Sequence, residues 1–252
     1  MLGDSAWADK YAKREIGSVR SLLLAIADHR SVRLYAAIAV VAFGATLSHD
    51  QALRYLAEAA AITLVSYPFV EYALHRFVLH ACVFCRNRTT ARIWRRVHFD
   101  HHLDPGDLGV LFAHPGLSVV FLMFLSALAA LGFGDKGLLF PMVWASFTSF
   151  IYYEAMHVAA HTGLRTAGGW LGRNCRNHVR HHYLDDRTYF GIGADILDRL
   201  LKRFAETKDT GARSPTVRNL GYDSEMAARY PWVAEGYARK KALAKSRAPS
   251  IG

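Results

Sequence analysis

The sequence predicts an all-α fold, a four-transmembrane-helix bundle with a cytoplasmic helical cap that holds a histidine-rich dinuclear metal site. Three observations carry that expectation: four apolar stretches of equal length, a one-sided distribution of basic residues, and a repeat that twice sets paired spans before clustered histidines.

The apolar stretches cover 32–48, 56–72, 117–133 and 137–153, each 17 residues long. As helices they are roughly 26 Å long at 1.5 Å per residue, close to the ~30 Å hydrocarbon core of a bilayer. Length alone leaves buried soluble helices open, and the charge pattern decides. Of the 31 Lys and Arg, all but Arg54 and Lys136 fall on one side of a four-pass zigzag. Basic residues concentrate on the cytoplasmic side of a membrane protein, so both termini and the central loop are expected there, in a bacterial inner membrane or the endoplasmic reticulum. Within the second stretch Pro68 is expected to kink the helix, and Arg54 and Glu58 have the i,i+4 spacing of a helix-end pair.

The whole chain, 1–252, reads as one integral membrane domain. It divides into an N-terminal cytoplasmic segment (1–31), the spans with the first three histidine clusters (32–161), a cap with the fourth cluster (162–210) and a basic tail (211–252), whose last stretch, ARKKALAKSRAPSIG, is expected to be a frayed basic end attracted to anionic lipid and is assigned no chemistry. Residues 1–30 are polar and charged, without the apolar core of a signal peptide. GIGADILDRLLKRF, 191–204, has Ile192, Ile196, Leu197, Leu200, Leu201 and Phe204 on one stripe and is expected to be an amphipathic helix lying on the bilayer or capping the cytoplasmic part. The net charge of +10 and pI near 9.7 suit a polyanionic partner, but a nucleic-acid ligand does not explain why the charge is sorted to one side. Three cysteines are too few for a disulfide framework, and Cys82-x-x-Cys85 is either incidental or half of a zinc site.

Ten of the 13 histidines form four clusters on the cytoplasmic side: His75 and His80; His98, His101 and His102; His157 and His161; His178, His181 and His182. His29 and His49 are read as ordinary polar residues. On an α-helix the His-x-x-His-His spacing brings three rings within about 100° of arc, and His157 and His161 also share a face. His75 and His80, five apart, lie about 140° around an ideal helix and are expected to straddle a site or reach different metals. Charged together, such rings repel; neutral and unpaired in a half-buried site, they carry a desolvation cost. Metal binding removes both problems, and ten imidazoles suit two metals with about five ligands each. The clusters repeat with the spans, so each half sends five imidazoles to one membrane face and the centre is expected between the halves. Glu71 and Glu154 precede His75 and His157 by one helical turn, where each is either a partner for the second ring N–H or an interface anion paired with Arg76 or another base. Arg92, Arg95 and Arg96 are either ordinary cytoplasmic-side charge or a holder for a lipid phosphate or an acidic redox partner.

Four segments resemble the histidine boxes of the fatty acid hydroxylase, or sterol desaturase, superfamily of membrane di-metal oxygenases, most closely fatty acyl 2-hydroxylases. They are EYALHRFVLH, VHFDHHLDPGD, YEAMHVAAHTG and NHVRHHYLDDRTYFGI followed by Asp198, together spanning about Glu71 to Phe204. After Asp107 this chain reads VLFAHP, where that group usually has Arg-Leu-Val-Phe-Pro-Pro. The resemblance implies the ten histidines as metal ligands, with Glu71, Glu154 and Asp107 in the outer shell and no catalytic residue assigned beyond the metal centre. It also implies two Fe, whose ligands equally suit Zn, with O2 as co-substrate, and an external electron donor such as a cytochrome b5 or ferredoxin. The implied activity is O2-dependent hydroxylation of an unactivated C–H in a lipid acyl chain. Its rivals are desaturation or hydroxylation of a sterol, carotenoid or ornithine lipid, and, from another class, metal transport. A transporter calls for ionisable ligands midway through its spans, and these four have almost none.

Overall fold

The computed structural model describes residues 5–12, 16–162, 164, 167–203 and 213–238, and among these all regular structure is helical. Two short helices, α1 (Ser5–Ala12) and α2 (Val19–Asp28), lead into α3 (Arg30–Leu47) and α4 (Ala52–Ala73). Ser18 and Ser21 cap each other at the start of α2, and the His29 ring accepts the Ser31 N–H at the start of α3. A π-helical turn, Leu74–Leu79, continues α4. Then come α5 (Arg88–Trp94), a second π-helical turn (Arg95–Phe99) and α6 (Asp100–Leu103). The second long pair is α7 (Pro115–Gly132), opened by Pro115, and α8 (Leu139–Ala160). The chain ends with α9 (Gly169–Tyr183), α10 (Ile196–Leu200), α11 (Ser224–Arg229) and a further helix over 232–238.

The four apolar stretches are thus helices α3, α4, α7 and α8, with α8 at the centre against α2, α3, α4, α7 and α9. Small side chains let them close up: Ala39 and Ala42 of α3, Ala59 of α4, Ala130 of α7 and Ala145 of α8 are all buried. Their outward faces are apolar and open, with Val41 72%, Leu64 79% and Leu131 72% exposed. Two of them, in the windows Arg30–Leu47 and Leu108–Gly132, are long and apolar enough to cross a membrane. Helices α4 and α8 fall below that measure because Arg54, Glu58 and Glu71 charge the first, while Thr148, Ser149, Glu154 and His157 make the second more polar. Arg54 and Glu58 pair at 2.7 Å, and α4 runs through Pro68 without interruption.

One expectation is corrected. The amphipathic helix over 191–204 shrinks to Ile196–Leu200, while 190–195 is a loop, because the carboxylates of Glu71 and Asp198 take its N–H groups out of any helical ladder. Phe204 lies outside the described residues. Residues 213–238 fold back over the cap, burying Leu220, Tyr222 and Val233 against Cys85, Trp94 and Phe99, while the basic end from 239 onward lies outside the described residues. Cys82 and Cys85 belong to this same patch, their Sγ atoms 3.8 Å apart, and burial pushes the Cys82 thiol up to about 12. That is the environment of packing residues and not of a reactive thiolate.

Candidate metal centre

All ten clustered histidines meet where α4 ends and α8 ends, in two groups. The first holds His75, His80, His98, His102 and His181; the second holds His101, His157, His161, His178 and His182. Within each group the candidate ligand atoms lie within 4.8 Å of one another. The partition is a swap. Each group takes four rings from one repeat and one from the other, so His101 crosses to the second group and His181 to the first.

This differs from three rings of one triad converging on a single point. Within each triad the i and i+4 rings share a group, and the i+3 ring turns to its neighbour. It differs also for His75 and His80, which share a group although they are five apart. The π-helical turn explains that difference, since i→i+5 winding brings residues five apart onto one face, and the His80 N–H donates to the His75 carbonyl at 3.2 Å. The second π-helical turn carries His98 into position ahead of α6.

The ring nitrogens have a chemistry that can be worked out. The Nδ1 of His75 lies 2.6 Å from the Phe190 carbonyl oxygen, that of His181 2.7 Å from Thr188 O, and that of His102 3.3 Å from Val217 O. A carbonyl only accepts, so each of these Nδ1 atoms carries the proton and each Nε2 of a neutral ring presents a lone pair. The rings are neutral: burial first, and mutual repulsion next, hold His98, His101, His178 and His182 well below the usual imidazole pKa. Burial does the same for His102 and His181, against the opposing pull of their carbonyl partners. The Nε2 lone pairs of His181 and His102 then face each other at 3.2 Å. Across both groups, neighbouring Nε2 atoms stand 3.0 to 3.2 Å apart. Converging lone pairs repel unless a cation lies between them, and ligands at ~2.1 Å from a metal sit about 3 Å from their cis neighbours. The buried Nε2 atoms of His75 and His98 have no hydrogen-bond partner among the described residues, as expected of ligand atoms. The residues present therefore fit two metal ions.

The carboxylates act one step further out than sequence spacing suggests. Glu71 does not reach a ring; its Oε1 accepts the N–H groups of Ile192 at 3.2 Å and Gly193 at 2.6 Å, and the Tyr67 hydroxyl at 3.1 Å. Asp198 accepts the N–H groups of Phe190 at 3.0 Å and Gly191 at 2.7 Å. Together they fix the loop whose carbonyls at Thr188 and Phe190 hold His181 and His75. Between those carbonyls Tyr189 adopts φ +58°, a conformation rare for a residue with a side chain. Gly193 leaves room for the Tyr67 hydroxyl, which a Cβ at that position would overlap. Glu154 likewise accepts a backbone N–H, that of Ala113 at 3.1 Å, and does not reach His157. Asp107 caps the 3₁₀ turn Leu108–Val110 through the Gly109 N–H at 2.9 Å. Arg95 and Arg96 are engaged within the chain: Arg95 pairs with Asp100 at 3.0 Å, and Arg96 donates to the Phe112 carbonyl at 3.2 Å. Arg92 stays exposed.

Two openings adjoin this region. A cleft of about 310 Å³ lined by Pro105, Gly106, Ala160, His161, Val179 and Tyr183 borders the second group. A groove of about 370 Å³ between α4 and α8, walled by Leu64, Tyr67, Trp144 and Tyr152, is almost wholly apolar. Tyr67 and Tyr152 both line it, and the Tyr152 hydroxyl donates to the Gly193 carbonyl at 2.7 Å, joining the groove to the loop that orients His75.

A helical protein with two adjoining five-imidazole groups, each suited to one ion, is the class that this fold and site define. The family model for fatty acid hydroxylases matches residues 60–203, and the chain belongs to that family. Among curated proteins it is similar to the fatty acid 2-hydroxylase of Mus musculus, 24% identical over 137 residues, and to that of Rattus norvegicus, 25% identical over 137 residues. Each alignment covers 54% of this chain and 36% of the relative, so the match spans about a third of the relatives' length. Among solved structures the fold resembles full-length scs7p, in which only the hydroxylase domain is visible, with a TM-score of 0.62 and 17% identity over 73% of this chain and 68% of that one.

Proposed function

We propose that the chain is a membrane-embedded, O2-dependent hydroxylase that places a hydroxyl on an unactivated C–H of a lipid acyl chain. The observation that carries this reading is the pair of interleaved five-histidine groups, whose lone pairs converge at the ends of apolar helices in a member of the fatty acid hydroxylase family. The ten histidines are the proposed ligands of two irons, with Glu71, Asp198, Glu154 and Asp107 in the outer shell. When bound, the irons supply the activation of O2 and the oxidation of the C–H bond.

The chain's own residues do the rest. Backbone carbonyls at Thr188, Phe190 and Val217 keep three Nδ1 protons in place, so that the opposite nitrogens face the ions. The groove between α4 and α8 receives the acyl tail along Leu64 and Trp144 and excludes water from it. The cleft beside His161 serves the polar side of the reaction, where an external one-electron donor approaches. Four spans, with both termini and the metal centre in the cytoplasm, remain part of the proposal and rest on the basic-residue pattern and the exposed apolar faces.

Lipid extracts from cells with and without the gene test it by mass spectrometry. The expected product has gained one oxygen atom; a product that has lost two hydrogens would make this a desaturase, and an unchanged lipid profile with altered cellular metal would favour a transporter.

A further inference from the structure

The chain beyond the family-matched residues carries part of the metal centre. We propose that the segment 213–222 is a strap that positions His102, and that the buried Asp186 is the latch holding it. The inference rests on the two-ion reading.

The ring proton of His102 is held by the Val217 carbonyl at 3.3 Å, from a residue 115 positions away. A backbone carbonyl can orient a ring only as well as its own segment is fixed. Here the fixing is specific. Ser214 donates its backbone N–H to the Leu184 carbonyl at 2.8 Å, and the hydroxyls of Ser214 and Thr216 both donate to the same Oδ1 of Asp186, each at 2.8 Å. Asp186 is only 3% exposed, so a carboxylate has been desolvated at the point where the strap is tied down. On the far side Arg218 reaches the His102 carbonyl at 3.5 Å and lies over the Tyr183 ring at 4.5 Å. Leu220 and Tyr222 then anchor the strap in the apolar patch around Cys85 and Trp94.

The place of the latch matters as much as its bonds. Asp186 follows His181 and His182 in the turn after α9, so it ties the strap to the helix that lends His181 to the first group. The strap thereby sets the approach of His102 to His181, the pair with facing Nε2 atoms at 3.2 Å, one from each repeat. No ring of the second group is contacted by residues 213–222 in the hydrogen bonds among the described residues. Asp186 is therefore a positioning residue selective for one ion.

The test is a cobalt(II) titration of the full chain, solubilised and stripped with chelator, read by metal analysis and by the visible absorption of bound cobalt. Wild type is expected to bind two ions. In Asp186→Ala one binding step weakens about 10–100-fold, the usual effect of losing an outer-shell partner, and the other is unchanged. The weakened step is the one missing from His80→Ala and retained in His161→Ala. Asp186→Asn keeps an amide oxygen that accepts both hydroxyls and restores most of the affinity. Should Asp186→Ala fail to accumulate, the double variant Ser214→Ala, Thr216→Ala carries the same expectation. Two ions in wild type with both steps unaltered, or equally weakened, in the variants overturns the strap alone. Fewer than two ions in wild type overturns the two-ion reading and the strap with it.

Discussion

The two histidine groups contain the same number of rings and the same convergence of Nε2 atoms, yet the chain holds them by different means. In the first group, His75, His102 and His181 each give a ring proton to a backbone carbonyl, and all three carbonyls come from loops that follow α9, at 188, 190 and 217. In the second, the buried Nδ1 atoms of His101, His178 and His182 have no hydrogen-bond partner among the described residues. Its pairs His157 and His161, and His178 and His182, are instead set by plain α-helical i,i+4 spacing on α8 and α9. The first group depends on π-helical winding and on loops; the second depends on two regular helices. One ion is thus gripped through loop carbonyls and the other through regular helix spacing, and damage to either support should be felt mainly by one ion.

The comparison is broken most severely at the crossing histidines. His101→Ala removes from the second group the one ring that comes from the other repeat, and His181→Ala does the same to the first. Each is expected to abolish the proposed hydroxylation and to lower metal content from two ions towards one, measured by metal analysis of the purified chain. Next in size is Glu71→Ala, which strands the buried N–H groups of Ile192 and Gly193. Unsatisfied buried donors cost about 1–3 kcal/mol each, and the loosened loop should weaken the first ion about 10–100-fold while sparing the second. A smaller effect follows from Gly193→Ala, whose Cβ would press on Tyr67; a cost of about 1–3 kcal/mol, read as a lowered unfolding midpoint, is expected from that overlap.

Acid sharpens the comparison from another direction. His98, His102 and His181 are held below the ordinary imidazole value of 6.5 in the folded chain, so below about pH 6.5 the unfolded chain takes up protons that the folded one refuses. Stability of the metal-free protein should be complete above that pH and fall steadily as pH drops through it, which thermal unfolding at stepped pH measures. Cys82→Ala is expected to have the smallest effect, under about 1 kcal/mol and with both ions retained, because its half-buried thiol packs at the edge of an apolar patch and touches neither group.

Much of this was legible in the sequence for physical reasons, and the remainder was hidden for equally physical ones. Helices α3, α4, α7 and α8 follow from apolar stretches with few charges, and the ten histidines stand out because clustered imidazoles have no low-energy alternative. Their partition did not follow, since His75 and His80 meet only through a π-helical turn that α-helical periodicity cannot express. Glu71 was visible beside His75, but its bonds to residues 192 and 193 depend on a loop 121 and 122 positions away. Val217 was hidden because a backbone carbonyl has no side-chain signature; Asp186 stood within the fourth box, but its hydroxyl partners Ser214 and Thr216 lie 28 and 30 positions away in a stretch of mixed composition.

The swap of one histidine between the repeats is the central claim, and anomalous X-ray scattering from crystals of the iron-loaded chain tests it most directly. Two iron peaks are expected, one surrounded by His75, His80, His98, His102 and His181, the other by His101, His157, His161, His178 and His182. A single peak, or a peak ligated by all three rings of His98, His101 and His102, would contradict it.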